Sequence, residues 1–129
     1  MVLTQKAAAL SSGVGTLSLS SGVVDQISGV AAFDNALKDA GDKLILAEFF
    51  APWCPHCQHM APVLEALSNE HKNVVFLSVN SEDANSRPLF DRYEVGGLPT
   101  MFLLKGGVIV DKIVGEKYKA MMEEKIAQY

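Results

Sequence analysis

The seven residues from Leu44 to Phe50, Leu-Ile-Leu-Ala-Glu-Phe-Phe, carry one charge among six apolar side chains. A strand sends alternate side chains to opposite faces, so a run this apolar needs cover on both, as in the middle of a sheet flanked by helices. The neighbouring segments supply that cover. Upstream, Val30, Phe33, Leu37 and Ala40 recur at helical spacing, with Ser28 as N-cap and Gly41 as stop. Downstream, Met60, Val63, Leu64 and Leu67 predict a second helix from Cys54 to about Lys72, kinked at Pro62. Val23 to Ile27 and Val74 to Val79 read as further strands, and Ser86 to Tyr93 as a short helix with Pro88 in its first turn. Met101 to Leu104 and Val108 to Val114 flank Gly106-Gly107, a two-residue hairpin signal. Beyond Gly115, the positions Tyr118, Met121, Met122, Ile126 and Tyr129 mark one face of a terminal helix.

Early strands alternating with helices imply parallel crossovers, and the late hairpin implies antiparallel pairing. The expected fold class is therefore α/β, a mixed sheet of four to five strands sandwiched between helices. With 129 residues, 49% of them hydrophobic, the chain can bury one core and not two. Residues 1–22 hold a single charge, Lys6, and their apolar runs are broken by Ser and Gly. They read as a flexible N-terminal tail ahead of a domain over 23–129, and as poor material for a signal-peptide core. A cytoplasmic location is expected, with export or organellar targeting through this segment as the alternative. No stretch reaches the roughly 18 to 20 apolar residues of a membrane span. The net charge of −4 gives no attraction to nucleic acid or to an anionic membrane surface.

The chemistry concentrates in Trp53-Cys54-Pro55-His56-Cys57. A bridge between cysteines this close closes a very small loop and does little for stability, so a structural purpose is the weaker reading. At a strand-to-helix junction Cys54 meets the free backbone donors of the helix start, which favour a thiolate, the nucleophile of disulfide exchange. Cys57 stands about one turn further along the same face, placed to attack a mixed disulfide formed at Cys54. Two other readings compete: a pair of ordinary buried thiols, disfavoured because a strand–Cys-X-X-Cys–helix context is itself the redox signature, and metal binding, since Cys54, His56, Cys57 and His59 bring four possible ligands into six residues. On a helix His56 lies about 200° and His59 about 140° round from Cys54, so the four do not readily close one tetrahedral site. No metal is expected.

These motifs together, Glu48-Phe49-Phe50-Ala51-Pro52-Trp53-Cys54-Pro55-His56-Cys57, Ala61-Pro62, Gly97-Leu98-Pro99-Thr100 and Lys105-Gly106-Gly107, resemble the thioredoxin family over about Val23 to Tyr129. The resemblance implies the thioredoxin fold with the two thiols exposed at one end. It also implies that Pro99 is the family's cis-proline facing the active-site disulfide, although a trans turn proline is the ordinary reading after two glycines. Trp53, Gly97, Leu98 and Gly115 would join Pro99 as an apolar rim for a substrate peptide; Trp53 taken alone fits packing equally well. Glu48 matches the family's buried acid behind the second cysteine, where burial raises a carboxyl's pKa and suits it to pass protons to and from Cys57. The alternative is a glutamate turned to solvent from a strand end.

Departures from ordinary thioredoxin bear on direction. Between the cysteines the chain has Pro55-His56 where the typical reductase has Gly-Pro, and this pair is seen in periplasmic disulfide-introducing oxidases. His56 adds a donor, positive when protonated, near the Cys54 sulfur, which stabilises the dithiol form and makes the disulfide more oxidising. Glu48 and the Phe-Ala-Pro-Trp-Cys run resemble protein disulfide isomerase, while Gln58 replaces the lysine common after the second cysteine. The leading expectation is a monomeric protein-disulfide reductase with no bound cofactor beyond a redox-active Cys54–Cys57 disulfide. Its partners would be disulfide-containing proteins and a dithiol donor such as a thioredoxin reductase. An oxidase or isomerase, and a non-catalytic binding module using the rim, are the alternatives.

Overall fold

The apolar run becomes the middle strand of a five-stranded sheet in a computed structural model that describes residues 23–129. The tail expected over residues 1–22 lies outside the described residues. Strand β1 (Val24–Ile27) and helix α1 (Val30–Ala40) lead into β2 (Ile45–Phe50), followed by α2 (Pro55–Glu70) and β3 (Val75–Asn80). A 3-10 turn at Ala84–Ser86 runs into α3 (Arg87–Arg92), then β4 (Thr100–Lys105), β5 (Val108–Val114) and α4 (Lys119–Ala127). The sheet order is β1-β3-β2-β4-β5. Strands β1 and β2 lie parallel to β3, while β4 runs antiparallel to both β2 and β5.

The two faces of β2 build two separate cores. Leu44 and Leu46 pack with Met60, Leu64 and Leu67 of α2 and with Met122 and Ile126 of α4. Ile45, Ala47 and Phe49 pack on the other side with Phe33 and Ala40 of α1 and Leu89 of α3. Phe49 anchors an aromatic group there, with its ring centroid 4.9 Å from Phe90 and 5.5 Å from Phe102, both edge-on, and 5.7 Å from Tyr93. Edge-on pairs of this kind contribute about 0.5–1.5 kcal/mol each beyond area burial. At the far edge Gly106 and Gly107 both take positive φ, 60° and 80°, as a two-residue turn matched to strand twist requires.

Element boundaries move by a residue or so from the sequence reading, and α2 runs unbroken through Pro62. Two readings need correction. Ser28 does not cap α1: the cap position is Gly29, with no side-chain bond, and Ser28 Oγ instead donates to Asp83. A second oxygen, Ser86 Oγ, accepts from the Gly29 N–H at 3.0 Å. On the terminal helix only Met122 and Ile126 are buried, while Tyr118 is 86% exposed and Met121 43%. Tyr118 has extended φ and ψ ahead of the first turn, which takes it off the helical face, and Tyr129 lies past the last.

The packing of Phe49 sets a stability prediction. Phe49→Ala removes a fully buried ring from four aromatic neighbours and costs about 3–5 kcal/mol. Urea denaturation checks it; a loss below about 1 kcal/mol would contradict the packing described.

Candidate active site

Where β2 ends, Ala51-Pro52-Trp53 turns the chain into α2, and Cys54 takes the N-cap position with φ −84° and ψ 116°. Pro55 occupies the first turn, where its missing N–H removes no helical bond. The Cys54 sulfur fills the role an N-cap oxygen usually has, accepting the Cys57 N–H at 3.2 Å. Free donors and the positive end of the helix dipole thus face the sulfur named as nucleophile. One turn on, the Cys57 thiol is hydrogen-bonded to Cys54, and both cysteines are free thiols.

Both sulfurs sit deeper than the family resemblance implies. Cys54 is 5% exposed and Cys57 4%, in a small apolar cluster with Ala51, against which Phe50 and Leu98 pack. The Leu98 carbonyl, 3.9 Å from Cys54 Sγ, reaches over the site from the loop ahead of β4. The Leu98–Pro99 peptide is cis, as the motif match implied. That loop is held on two sides: Thr100 Oγ1 donates to the Gly97 carbonyl at 2.6 Å, and Gly115 N donates to the Pro99 carbonyl at 2.8 Å. A Cβ on Gly97 would stand 3.2 Å from Val114 Cγ1, tighter than ordinary contact, so a side chain there would require the half-exposed Val114 to give by a few tenths of an ångström. Trp53, immediately before Cys54, is 65% exposed, with Nε1 donating to Glu82 at 2.9 Å. Gly97, Leu98, Pro99 and Gly115 are thereby gathered beside the cysteines.

Glu48 follows Leu46 on the α2 side of β2 by the two-residue alternation and is only 5% exposed. With Cys57, Phe50 and Ser78 it lines a cavity of about 210 Å³, and its Oε2 has no hydrogen-bond partner among the described residues. Burial without a partner pushes its pKa from the ordinary 4.5 up to about 7. The Cys57 thiol is pushed up to about 12, first by burial and then by its hydrogen bond to Cys54, with the charges of Cys54 and Glu48 adding to the effect. An acid that titrates near neutrality therefore shares a cavity with a thiol that holds its proton tightly.

His56 and His59 project from the exposed side of α2, as their angular positions predicted. His56 does not turn its ring toward Cys54: its Nδ1 meets Glu116 Oε1 at 2.9 Å, and His59 Nδ1 meets the same oxygen at 3.2 Å. These two hydrogen bonds hold the Glu116 carboxyl below its usual range. Sequence reasoning missed both Glu116 and Glu82. Glu116 is 60 residues from His56 and Glu82 is 29 from Trp53, and no periodicity links such pairs.

A parallel-antiparallel sheet with a Cys-X-X-Cys pair at the start of α2 and a cis-proline loop alongside defines the class of dithiol proteins built for thiol–disulfide exchange. The thioredoxin family model matches residues 25–128, and the chain belongs to the thioredoxin family. It is 35% identical over 104 residues to a thioredoxin of Ictalurus punctatus, covering 79% of this chain and 95% of that protein. It is also 35% identical over 113 residues to the TPR repeat-containing thioredoxin TDX of Oryza sativa subsp. japonica, covering 86% of this chain but spanning only 35% of that protein's length. Among solved structures, Fasciola hepatica thioredoxin superposes with a TM-score of 0.76 at 28% identity, covering 81% of this chain and 98% of that one.

The elevated pKa of Glu48 has a stability consequence. Between about pH 4.5 and 7 the folded state holds a proton at Glu48 that the unfolded chain has released, so stability falls as pH rises through this window. The full loss is about 3 kcal/mol, at about 1.4 kcal/mol per pH unit. Denaturant unfolding of the dithiol form at pH 5 and pH 8 checks this. Glu48→Gln flattens the difference, and a wild-type profile already flat across this range would contradict the burial of a proton-holding acid.

Proposed function

We propose that this chain reduces protein disulfides, with Cys54 as nucleophile, Cys57 as resolving thiol and Glu48 as the proton acceptor behind it. The observation that carries the proposal is the shared cavity of Glu48 and Cys57, set behind a Cys54 sulfur that caps α2. The Cys54 thiolate attacks one sulfur of a substrate disulfide, forming a mixed disulfide and releasing the other sulfur as a thiolate. Cys57 then gives its proton to the Glu48 carboxylate, and its sulfur attacks Cys54 Sγ. The Cys54–Cys57 disulfide forms, and the second substrate sulfur leaves and takes up a proton. Two electrons pass from the dithiol to the substrate, and a dithiol donor such as a thioredoxin reductase restores the starting state.

Trp53, Gly97, Leu98, Pro99 and Gly115 form the surface against which an extended substrate peptide rests. The depth of Cys54 fits a substrate that brings its disulfide in on a narrow strand rather than a flat face. The Pro55-His56 pair replaces the Gly-Pro of the typical reductase and is given the part of raising the potential above thioredoxin's roughly −270 mV, although the His56 ring is engaged by Glu116 and not by the Cys54 sulfur. This same feature supports the second reading, net oxidation or isomerisation.

Three variants test the assignment. Cys54→Ser abolishes insulin reduction, and Cys57→Ser accumulates a mixed disulfide at Cys54, detectable by mass spectrometry. Glu48→Gln slows resolution at pH 7 by about tenfold to 10²-fold, the low end of what a positioned general base contributes. An unchanged resolution rate in Glu48→Gln across neutral pH would remove the proton role. Equilibration with a glutathione buffer fixes direction: a potential at or below thioredoxin's would contradict the part given to His56.

A further inference from the structure

We propose that His56, His59 and Glu116 form a surface site for a divalent transition-metal ion of the zinc type, separate from the cysteine pair. The geometry is already convergent without an ion: two imidazole Nδ1 atoms from the first turns of α2 aim at one oxygen of Glu116, from the loop between β5 and α4. The three ligand atoms all lie within 4.8 Å of one another. In a tetrahedral site with bonds of about 2.0–2.1 Å, neighbouring ligand atoms stand about 3.3 Å apart. The two nitrogen-to-oxygen separations here, 2.9 and 3.2 Å, are within a few tenths of an ångström of that edge. Small side-chain movements admit an ion.

The chemistry of the ligand set fits as well. Two imidazoles and one carboxylate are a three-ligand set that leaves a zinc ion an open position for water. Both rings are exposed, so a neutral imidazole can carry its proton on Nε2, in solvent, and offer the Nδ1 lone pair to the ion. The ion then takes the place of the hydrogen-bonding protons that now hold the cluster together. The positive end of α2 opposes a cation here, and the Glu116 carboxylate offsets it. Lys117, the nearest basic residue in sequence, directs its ammonium to the Val114 carbonyl at 2.7 Å and leaves the Glu116 carboxylate to the imidazoles. The second acid–imidazole group, Glu70, His71 and Glu123, differs in this respect, because Lys119 already occupies both of its carboxylates.

Cysteine pairs also bind zinc, so the test removes them. In an untagged full chain carrying Cys54→Ser and Cys57→Ser, titration calorimetry with Zn²⁺ at pH 7.5 is expected to show one equivalent bound. Adding His59→Gln or Glu116→Gln weakens that binding by at least about tenfold, since even a lost outer partner of a metal site costs about 10–100-fold. Adding His71→Gln leaves it unchanged. Binding that is absent, or that survives both His59→Gln and Glu116→Gln, overturns the proposal, as does binding lost with His71. Circular dichroism of each variant separates loss of the site from loss of the fold. Because no thiol takes part, this outcome is independent of the redox function.

Discussion

A carboxyl group with no partner, buried beside a thiol, is the constraint around which this site is arranged. Taking Glu48 out of water raises its pKa to about 7, and keeping it ionised there costs about 3 kcal/mol. Against a net stability of about 5–15 kcal/mol for a domain, that is a substantial loss. An apolar residue of similar volume at this position would spare the fold the loss, so packing does not explain the acid. Proton exchange with Cys57 does, because a thiol pushed up to about 12 needs an acceptor before its sulfur can attack.

The rest of the fold serves this pairing through register. Alternation along β2 puts Glu48 on the α2 face with Leu46, and Phe49 in the aromatic group on the opposite face. A slip of one residue would drive the carboxyl among Phe33, Phe90 and Phe102 and turn Phe49 toward the thiols. Parallel pairing with β3 on one side and antiparallel pairing with β4 on the other prevent such a slip, setting Glu48 between Ser78 and Met101. The same strand ends one short turn before Cys54, so the acid and the helix start reach the two sulfurs from different directions. The loop ahead of β4 closes the remaining side, tied to Gly115 and covering Cys54 with Leu98.

Much of this was legible in the residues. A continuous apolar run bounded by turns announces a covered strand, two adjacent glycines announce a tight hairpin, and paired cysteines after a strand announce exchange chemistry, because each is a local pattern with one economical structure. What escaped the sequence was non-local or depended on a cap. Ser28 looked like an N-cap, but Asp83, 55 residues away, claimed its hydroxyl. Tyr118 fitted the apolar spacing of α4 and yet precedes its first turn. The cover that Leu98 lays over Cys54 follows from packing between two loops. The joining of His56 and His59 at Glu116 has the same origin, and helical geometry alone could show only that both rings avoid the thiols.

The most direct test is a carbon-13 NMR titration of the Glu48 side-chain carboxyl in the dithiol form. The account predicts a midpoint near pH 7, where proton transfer to and from Cys57 is most useful. An ordinary midpoint near 4.5 would show a hydrated, permanently charged carboxylate and contradict it.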